Sequence, residues 1–167
     1  MGDELMGSPQ PWYVGVRAEA HAVLHLTSRG GLQVARLPKG AGIDLLLTLA
    51  ADGELSGRHL GVVVKPRGSE ADVPRLTPRS VRRERTQFAA TTFPVCMVSF
   101  SSAGELGYFR WILEPSLEGG EPVLGYAQRT NFEPITDALL DGVFAQVDAW
   151  YDARRADGEA PDVLVLH

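Results

Sequence analysis

Two apolar segments joined by a polar turn, Gly42–Lys65, constrain the fold of this chain more than any other stretch. The turn contains Asp52-Gly53, a pair typical of a tight β-hairpin. The second segment runs from His59 to Lys65 and is apolar on both faces of the predicted strand. Since such a strand is covered on both sides, we expect the hairpin to lie at the centre of a sheet, between helical layers.

Hydrophobic spacing on either side of this hairpin predicts three helices and four further strands. The helices are predicted at residues 12–28, at 77–90 and from about Pro134 onward, and the strands at 32–37, 94–100, 107–113 and near 123–127. Thr77 and Pro78 are the expected N-cap and first residue of the second helix. The rest of 114–133 has the composition of a loop.

The last predicted helix carries a wide apolar stripe, which indicates that one of its faces is buried. A row of aspartates is expected on the solvated side: Asp137, Asp141, Asp148 and Asp152. Together the elements predict one α/β domain with a long C-terminal amphipathic helix. Residues 12–155 form the predicted domain, 1–11 a flexible lead-in, and 156–167 a tail or short strand with the sequence DVLVL.

Charge and composition restrict the possible partners. The chain has a formal net charge of −5, yet the segment from Lys65 to Arg85 holds seven basic and three acidic side chains. An anionic partner is therefore expected near this segment and not over the whole surface. Cys96 is the one cysteine, no apolar run approaches the length of a membrane span, and the N-terminus lacks signal-peptide blocks. These features favour a cytoplasmic protein without membrane contact.

Four arginines lie close together on the predicted second helix: Arg79, Arg82, Arg83 and Arg85. Arginines clustered in this way bind the phosphate backbone of nucleic acids, the part of recognition that does not depend on base sequence. Glu84 lies among them. An ordinary solvated helix face therefore accounts for the same pattern, and both interpretations stay open.

Asp44 and Lys65 bracket the hairpin and form a second candidate site with Glu19 of the first helix. Metal-dependent hydrolysis of a phosphodiester needs carboxylates to hold the ion and a cation to offset charge developing on the phosphate. Two neighbouring strands and a packed helix can deliver such groups to one point. The alternative is structural, since an aspartate in a turn often caps the chain and a lysine often marks a solvated strand end.

The order of these motifs resembles a known family. Glu19, then GID at 42–44, LGVVVK at 60–65, PVCMVSF and YFRWILEP are similar to the domain of unknown function 4365. That family belongs to the PD-(D/E)xK, restriction-endonuclease-like superfamily and is found in bacterial defence proteins, alone or fused to other modules. The resemblance covers residues 12 to 115 and implies a restriction-endonuclease-like α/β fold, in which a mixed central sheet is flanked by helices.

The resemblance also implies roles for particular residues. Asp44 matches the metal-binding aspartate, Lys65 the catalytic lysine, and Glu19 the helix acid used by some members, with Mg²⁺ or Mn²⁺ as the cofactor. Val63 departs from the pattern, because the family has Asp, Glu or Gln at this position and a valine side chain cannot bind a metal. The backbone carbonyl of Val64 remains available as a ligand.

Two functions follow as expectations. The first is a metal-dependent endonuclease that cleaves DNA in antiviral defence. The second is a catalytically inactive module of the same fold, a pseudoenzyme that binds nucleic acid, a protein partner or a larger defence assembly. Val63 and the acidic C-terminal half motivate the second. DNA or RNA as the target, and a homo-oligomer or a monomer, stay open.

Overall fold

The computed structural model describes residues 11–158, and within them it contains three helices and one seven-stranded sheet. The helices are α1 (Trp12–Thr27), α2 (Pro78–Gln87) and α3 (Asp137–Ala156). The strands are β1 (Leu32–Arg36), β2 (Leu45–Ala51), β3 (Glu54–Arg67), β4 (Val95–Ser101), β5 (Gly107–Glu118), β6 (Glu121–Tyr126) and β7 (Glu133–Pro134). The first ten residues of the predicted lead-in, and the predicted strand DVLVL, lie outside the described residues.

The sheet is mixed, as predicted. Its order is β1-β2-β3-β4-β5-β6, with β7 paired to β5. Strands β3 and β4 are parallel and the other pairs are antiparallel. Helix α2 makes the crossover that a parallel pair requires. The β2–β3 turn is the predicted tight hairpin, since Asp52 and Gly53 have φ angles of 54° and 80°.

The apolar GVVVK run is covered on both faces, which confirms the predicted central position of this strand. Val62 and Val64 belong to the core beneath α1 and α3, where Ala18, Ala22 and Val147 also pack. Val63 points the other way and joins a smaller core on the α2 side. The two-residue alternation of a strand produces this division, so valines are needed at consecutive positions.

Helix α2 forms a polar layer with little apolar packing. Thr77 is its N-cap, and its hydroxyl accepts a hydrogen bond from the backbone N–H of Ser80 at 3.1 Å. Glu84 is the one buried residue among the ten described residues of α2, and Phe88 is buried directly after the helix ends. The predicted cap is therefore confirmed, while the helix ends at Gln87 and not near Ala90.

The prediction that 114–133 is mostly loop was wrong. Strand β5 continues to Glu118 and forms a hairpin with β6 across Gly119-Gly120, whose φ angles of 61° and 93° suit a tight turn. Pro115 lies inside this strand, although proline has no N–H to donate. Its carbonyl accepts a hydrogen bond from Gln146 of α3 at 2.6 Å, so its backbone faces away from β6. No β5–β6 hydrogen bond is lost by placing a proline there.

Two aspartates of α3 hold the helix on the sheet, although their side chains are 41% and 64% exposed, in agreement with the predicted solvated side. The buried guanidinium of Arg58 on β3 pairs with Asp148 at 2.7 Å and also with Asp152. Burial disfavours the charge on Arg58, but the hydrogen bonds that its guanidinium donates to these carboxylates outweigh the effect of burial and raise the arginine pKa above its ordinary value. The prediction missed the pair because it started this strand at His59.

Candidate functional site

Asp44 lies directly before β2 and extends its pairing with β3. Its backbone N–H donates to the carbonyl of Val62 at 3.0 Å, and its carbonyl accepts from the N–H of Leu37 at 2.9 Å. One carboxylate oxygen accepts from the N–H of Val64 at 2.7 Å. Asp44 therefore acts as a cap on β3, which is the structural alternative, while its second carboxylate oxygen makes no hydrogen bond within residues 11–158.

Val64 and Lys65 lie beside this carboxylate. The N–H and C=O of one strand residue point to the same neighbouring strand, so the Val64 carbonyl lies on the Asp44 side of β3. Lys65 follows and is paired in register with Ser99 of β4. It is partly exposed and makes no hydrogen bond or ion pair with any residue in the described part of the chain. The Asp44 carboxylate is thus bound to the backbone of Val64, the residue before Lys65, and convergence of the Lys65 side chain on this point stays a prediction.

Glu19 lies on the other layer of the domain. It follows buried Ala18 on α1 and is partly buried itself. His21 and His25 bind the β4–β5 turn through the carbonyls of Ser102 and Gly104, at 3.3 and 3.2 Å. At 100° per residue, Glu19 projects from the opposite flank of the helix. Helix α1 covers the face of Val62 and Val64, whereas alternation puts the Lys65 side chain on the α2 face.

These residues fit a divalent cation incompletely. Mg²⁺ needs oxygen ligands in a nearly octahedral arrangement. Within residues 11–158 no group of three or more His, Cys, Asp or Glu side chains is arranged to hold a metal ion. Val63 packs in the smaller core, so no ligand is supplied from that position. Glu19, Asp44 and the Val64 carbonyl therefore lack the third acid that the family pattern places two residues before the lysine.

The arginines of α2 are displayed on its surface. Arg79, Arg82 and Arg83 are exposed and form no hydrogen bond or ion pair in the described residues. Arg85 is also exposed, and its guanidinium lies 5.5 Å from the ring centre of Tyr126. The Tyr126 hydroxyl donates to the Arg85 carbonyl at 2.8 Å, which ties α2 to β6.

Glu84 does not neutralise these arginines. Its side chain turns inward and pairs with Arg110 of β5 at 2.8 Å, with both side chains at most 10% exposed. The surface of α2 therefore carries cations without an acid beside them. The solvated-face interpretation counted Glu84 among the exposed charges, and the structure removes that part of its support.

A second polar cluster organises the loops beyond the ends of β3 and β4. The Arg67 guanidinium donates to the carbonyls of Ser69, Glu70 and Asp72 at 3.2, 3.1 and 2.7 Å, and also to that of Leu106. It lies 4.8 Å from the ring centre of Tyr108. These contacts hold the start of the connection to α2 against the β4–β5 turn.

Glu70 completes this cluster. The hydroxyl of Ser101 donates to its carboxylate and lowers the carboxyl pKa; burial opposes this effect, and the Arg67 guanidinium lowers the pKa further. The carboxylate also accepts from the N–H of Leu106 at 3.2 Å. The ionised form is therefore the one that the folded protein stabilises.

The Glu70 cluster predicts a pH dependence of stability. Because the folded-state pKa is lowered, the stabilisation is complete above about pH 4.3, the ordinary glutamate pKa, and is lost as the pH falls through the folded value. We expect urea unfolding between about pH 5 and about pH 3 to show a smaller loss of unfolding free energy in Glu70→Gln than in the wild type. Glu118→Gln, an exposed control, should follow the wild type; equal slopes for all three proteins would contradict the prediction.

Sequence reasoning missed a cleft between β5, α3 and the connection from β6 to β7. It has a volume of about 580 Å³ and is lined by aromatic, charged and amide side chains. A β-bulge lies beside it, since Cys96 pairs with Trp111 and Val95 with Leu113, which leaves Ile112 without a partner in β4. Gly142, a glycine in the middle of α3, was the sequence signal that could have indicated it.

No family model, no curated protein and no solved structure matches this chain. The structure defines the class of the protein as a mixed α/β domain whose crossover helix α2 carries exposed arginines. Membership of the domain of unknown function 4365 family stays a prediction.

None of the described helices is long and apolar enough to cross a membrane. Cys96 is fully buried and burial raises its thiol pKa, so it is no candidate nucleophile.

Proposed function

We propose that this chain is a nucleic-acid-binding module that contacts the phosphate backbone through the exposed arginines of α2. The observation that carries the proposal is the pairing of Glu84 with Arg110, which leaves Arg79, Arg82 and Arg83 without a neighbouring acid. Guanidinium groups are suited to phosphate because they donate two parallel hydrogen bonds. The inactive nuclease-like module implied by the family resemblance is the function that this geometry supports best.

The distribution of charge restricts where the backbone would lie. The chain as a whole is acidic, with a net charge of −5, so polyanions are repelled from most of its surface. The other two acids between Lys65 and Arg85 are Glu70, which is bound in the Arg67 cluster, and Asp72. A phosphate backbone is therefore attracted mainly along α2. DNA is the target that the family resemblance favours.

Removing the three arginines should weaken binding and its dependence on salt. We expect Arg79→Gln, Arg82→Gln and Arg83→Gln together to reduce the slope of log affinity against log salt for duplex DNA by about 2.7, because each phosphate contact contributes about 0.9. Between about 50 and 200 mM salt, three contacts account for a roughly 40-fold loss of affinity. Fluorescence anisotropy with a labelled duplex at several salt concentrations measures both quantities.

The matched control is Arg155→Gln, which removes an exposed arginine from helix α3 in the acidic half of the chain. Its slope should equal that of the wild type. A triple variant with wild-type affinity and slope would contradict the proposal, as would equal losses in the triple variant and the control. If the module binds a protein partner instead of nucleic acid, neither the wild type nor the variants should bind the labelled duplex.

The second candidate function is the metal-dependent DNA cleavage that the family resemblance implies. Lys65 favours it, because an unpaired lysine beside an aspartate is the arrangement that such a site uses. The ligand set is incomplete, because Val63 replaces the acid of the family pattern and packs in the smaller core. Bound Mg²⁺ or Mn²⁺ would supply Lewis-acid stabilisation of the phosphate.

Incubation of the pure protein with plasmid, linear and single-stranded DNA, with Mn²⁺ or with a chelator, separates the two candidates. Cleavage that needs Mn²⁺ and is lost in both Asp44→Ala and Lys65→Ala would establish the nuclease. Our first proposal expects intact DNA in every lane, with binding retained. Cleavage that survives both substitutions would exclude the Asp44–Lys65 site.

A further inference from the structure

The cleft beside β5 lies at an opening in the edge of the sheet. Strand β7 pairs with β5 at Tyr108 and Phe109, and β6 pairs with it from Leu113 onward. Arg110, Trp111 and Ile112 of β5 lie between these two paired regions, and they pair with neither β6 nor β7. Residues 127–132, which connect β6 to β7, form the outer wall, and α3 forms the roof. The volume of about 580 Å³ lies within the range of small-molecule sites.

Gly142 of α3 is exposed and lines this cleft. Glycine in the middle of a helix is unfavourable relative to alanine, so a position such as this needs a reason. A Cβ atom added at Gly142 would meet no other atom within 4 Å, and the residue lines the cleft. Close packing therefore does not explain the glycine, and a larger side chain at this position would project into the free space of the cleft.

The cleft is lined by two aromatic rings and by polar side chains whose orientation is fixed by hydrogen bonds. Phe109 and Trp111 pack edge to face with ring centres 5.2 Å apart. Gln146 donates to the Pro115 carbonyl and to Glu114, at 2.6 and 3.4 Å, which orients its amide and leaves the amide oxygen without a partner in residues 11–158. Phe109 and Trp111 are 3% and 9% exposed, so they form the apolar base of the cleft. Such a site accepts a ring with polar edges, because amide and carboxylate oxygens accept hydrogen bonds from its N–H groups.

A smaller cavity beside the cleft is lined by Arg85 of α2 and by Tyr126, and the two cavities share the lining residues Arg110 and Ala127. The rim between them also carries Arg129, which is exposed and lines the larger cleft. A chain of phosphates on α2 would therefore pass near the mouth of the cleft.

We propose that this cleft receives one unstacked base of a single-stranded nucleic acid whose backbone lies along α2. The inference rests on the proposed function, and it adds a preference for unpaired strands. A base held in a duplex is stacked and paired, so it cannot enter the cleft without being extruded. Phosphate contacts on α2 are available to both forms, whereas the base contact is available only to the single strand.

The experiment compares Gly142→Leu with Ala149→Leu. Leucine at 142 fills the cleft and improves helix propensity, while Ala149 is exposed on α3 two turns further along and does not line the cleft. Binding of one labelled oligonucleotide is measured as a single strand and as a duplex. We expect Gly142→Leu to weaken single-strand binding about tenfold or more and to leave duplex binding within about twofold. Ala149→Leu should change neither, and thermal unfolding verifies that both variants are folded.

Free nucleosides distinguish failure of this inference from failure of the proposed function. They carry no phosphate, so their binding does not depend on α2. Guanosine, adenosine, cytidine and uridine are titrated into the wild type and into Gly142→Leu, with binding measured by isothermal titration calorimetry. Nucleoside binding that is lost in Gly142→Leu supports the cleft even if the α2 variants bind DNA normally. Absence of nucleoside binding, or equal effects of Gly142→Leu on both DNA forms, overturns it.

Discussion

Replacing Glu84 with alanine is expected to lower the free energy of unfolding by about 3–5 kcal/mol, the effect of leaving a buried charge without its partner. Glu84 and Arg110 have side chains 10% and 3% exposed, so water reaches neither of them well. The Nε of Arg110 already makes no hydrogen bond to another residue in the described chain. Without Glu84, its charge would be compensated only weakly, by the ring of Phe132 with its centre 5.9 Å away. Urea unfolding followed by circular dichroism measures the change.

Replacement of both partners separates the lost charge from the lost packing. Glu84→Leu combined with Arg110→Met removes both charges and keeps apolar volume, so it should be much closer to the wild type than Glu84→Ala. A double variant as unstable as the single one would show that the pair is needed for more than mutual neutralisation.

Because α2 buries so little apolar surface, we also expect hydrogen exchange in α2 to increase before the rest of the domain unfolds.

Replacing Arg67 with methionine is expected to destabilise the protein by about 3 kcal/mol, because hydrogen bonds from charged groups contribute about 1.5–3 kcal/mol each. The guanidinium is 3% exposed and donates to four backbone carbonyls on two separate loops. These four bonds share one side chain, so their contributions are not additive. Thermal and urea unfolding measure the loss, and the segment 68–76 should become sensitive to proteolysis.

Arg67→Lys is the informative control for this cluster. A lysine keeps the charge beside Glu70 but cannot direct five N–H donors to several carbonyls at once. If geometry dominates, the lysine variant is nearly as unstable as the methionine variant. If charge dominates, it recovers most of the stability, and hydrogen bonding to the backbone carbonyls would not be what stabilises the two loops.

Local sequence patterns were sufficient to predict most of the helices and strands. The Asp52-Gly53 turn, the consecutive valines at 62–64 and the Thr77-Pro78 helix start each determine their own structure through backbone geometry or burial. Errors arose where tertiary context overrides a local signal. Pro115 is tolerated in β5 because its backbone faces α3, and the Gly119-Gly120 pair makes a turn inside a segment whose composition predicts a long loop.

The candidate site was only partly predictable, for a physical reason. Neighbouring positions on adjoining strands meet, so the Asp44 carboxylate contacts the backbone of Val64, directly before Lys65. Glu19 belongs to a helix on the layer away from the Lys65 side chain, and a helix's layer is decided by the whole core. The inward turn of Glu84 could not be inferred either, because its partner Arg110 lies 26 residues away on β5.

The sequence by itself determined the hairpin, the Thr77 helix cap and the clustering of arginines on one short helix, because these depend on residues close together in the chain. The tertiary structure alone decided which charges stay exposed. It buried Glu84 against Arg110, bound Glu70 to Ser101 and left the arginines of α2 unopposed. It also opened a cleft above Gly142, where strands β6 and β7 leave part of β5 uncovered. Burial and pairing between distant segments set these features, and no local pattern encodes them.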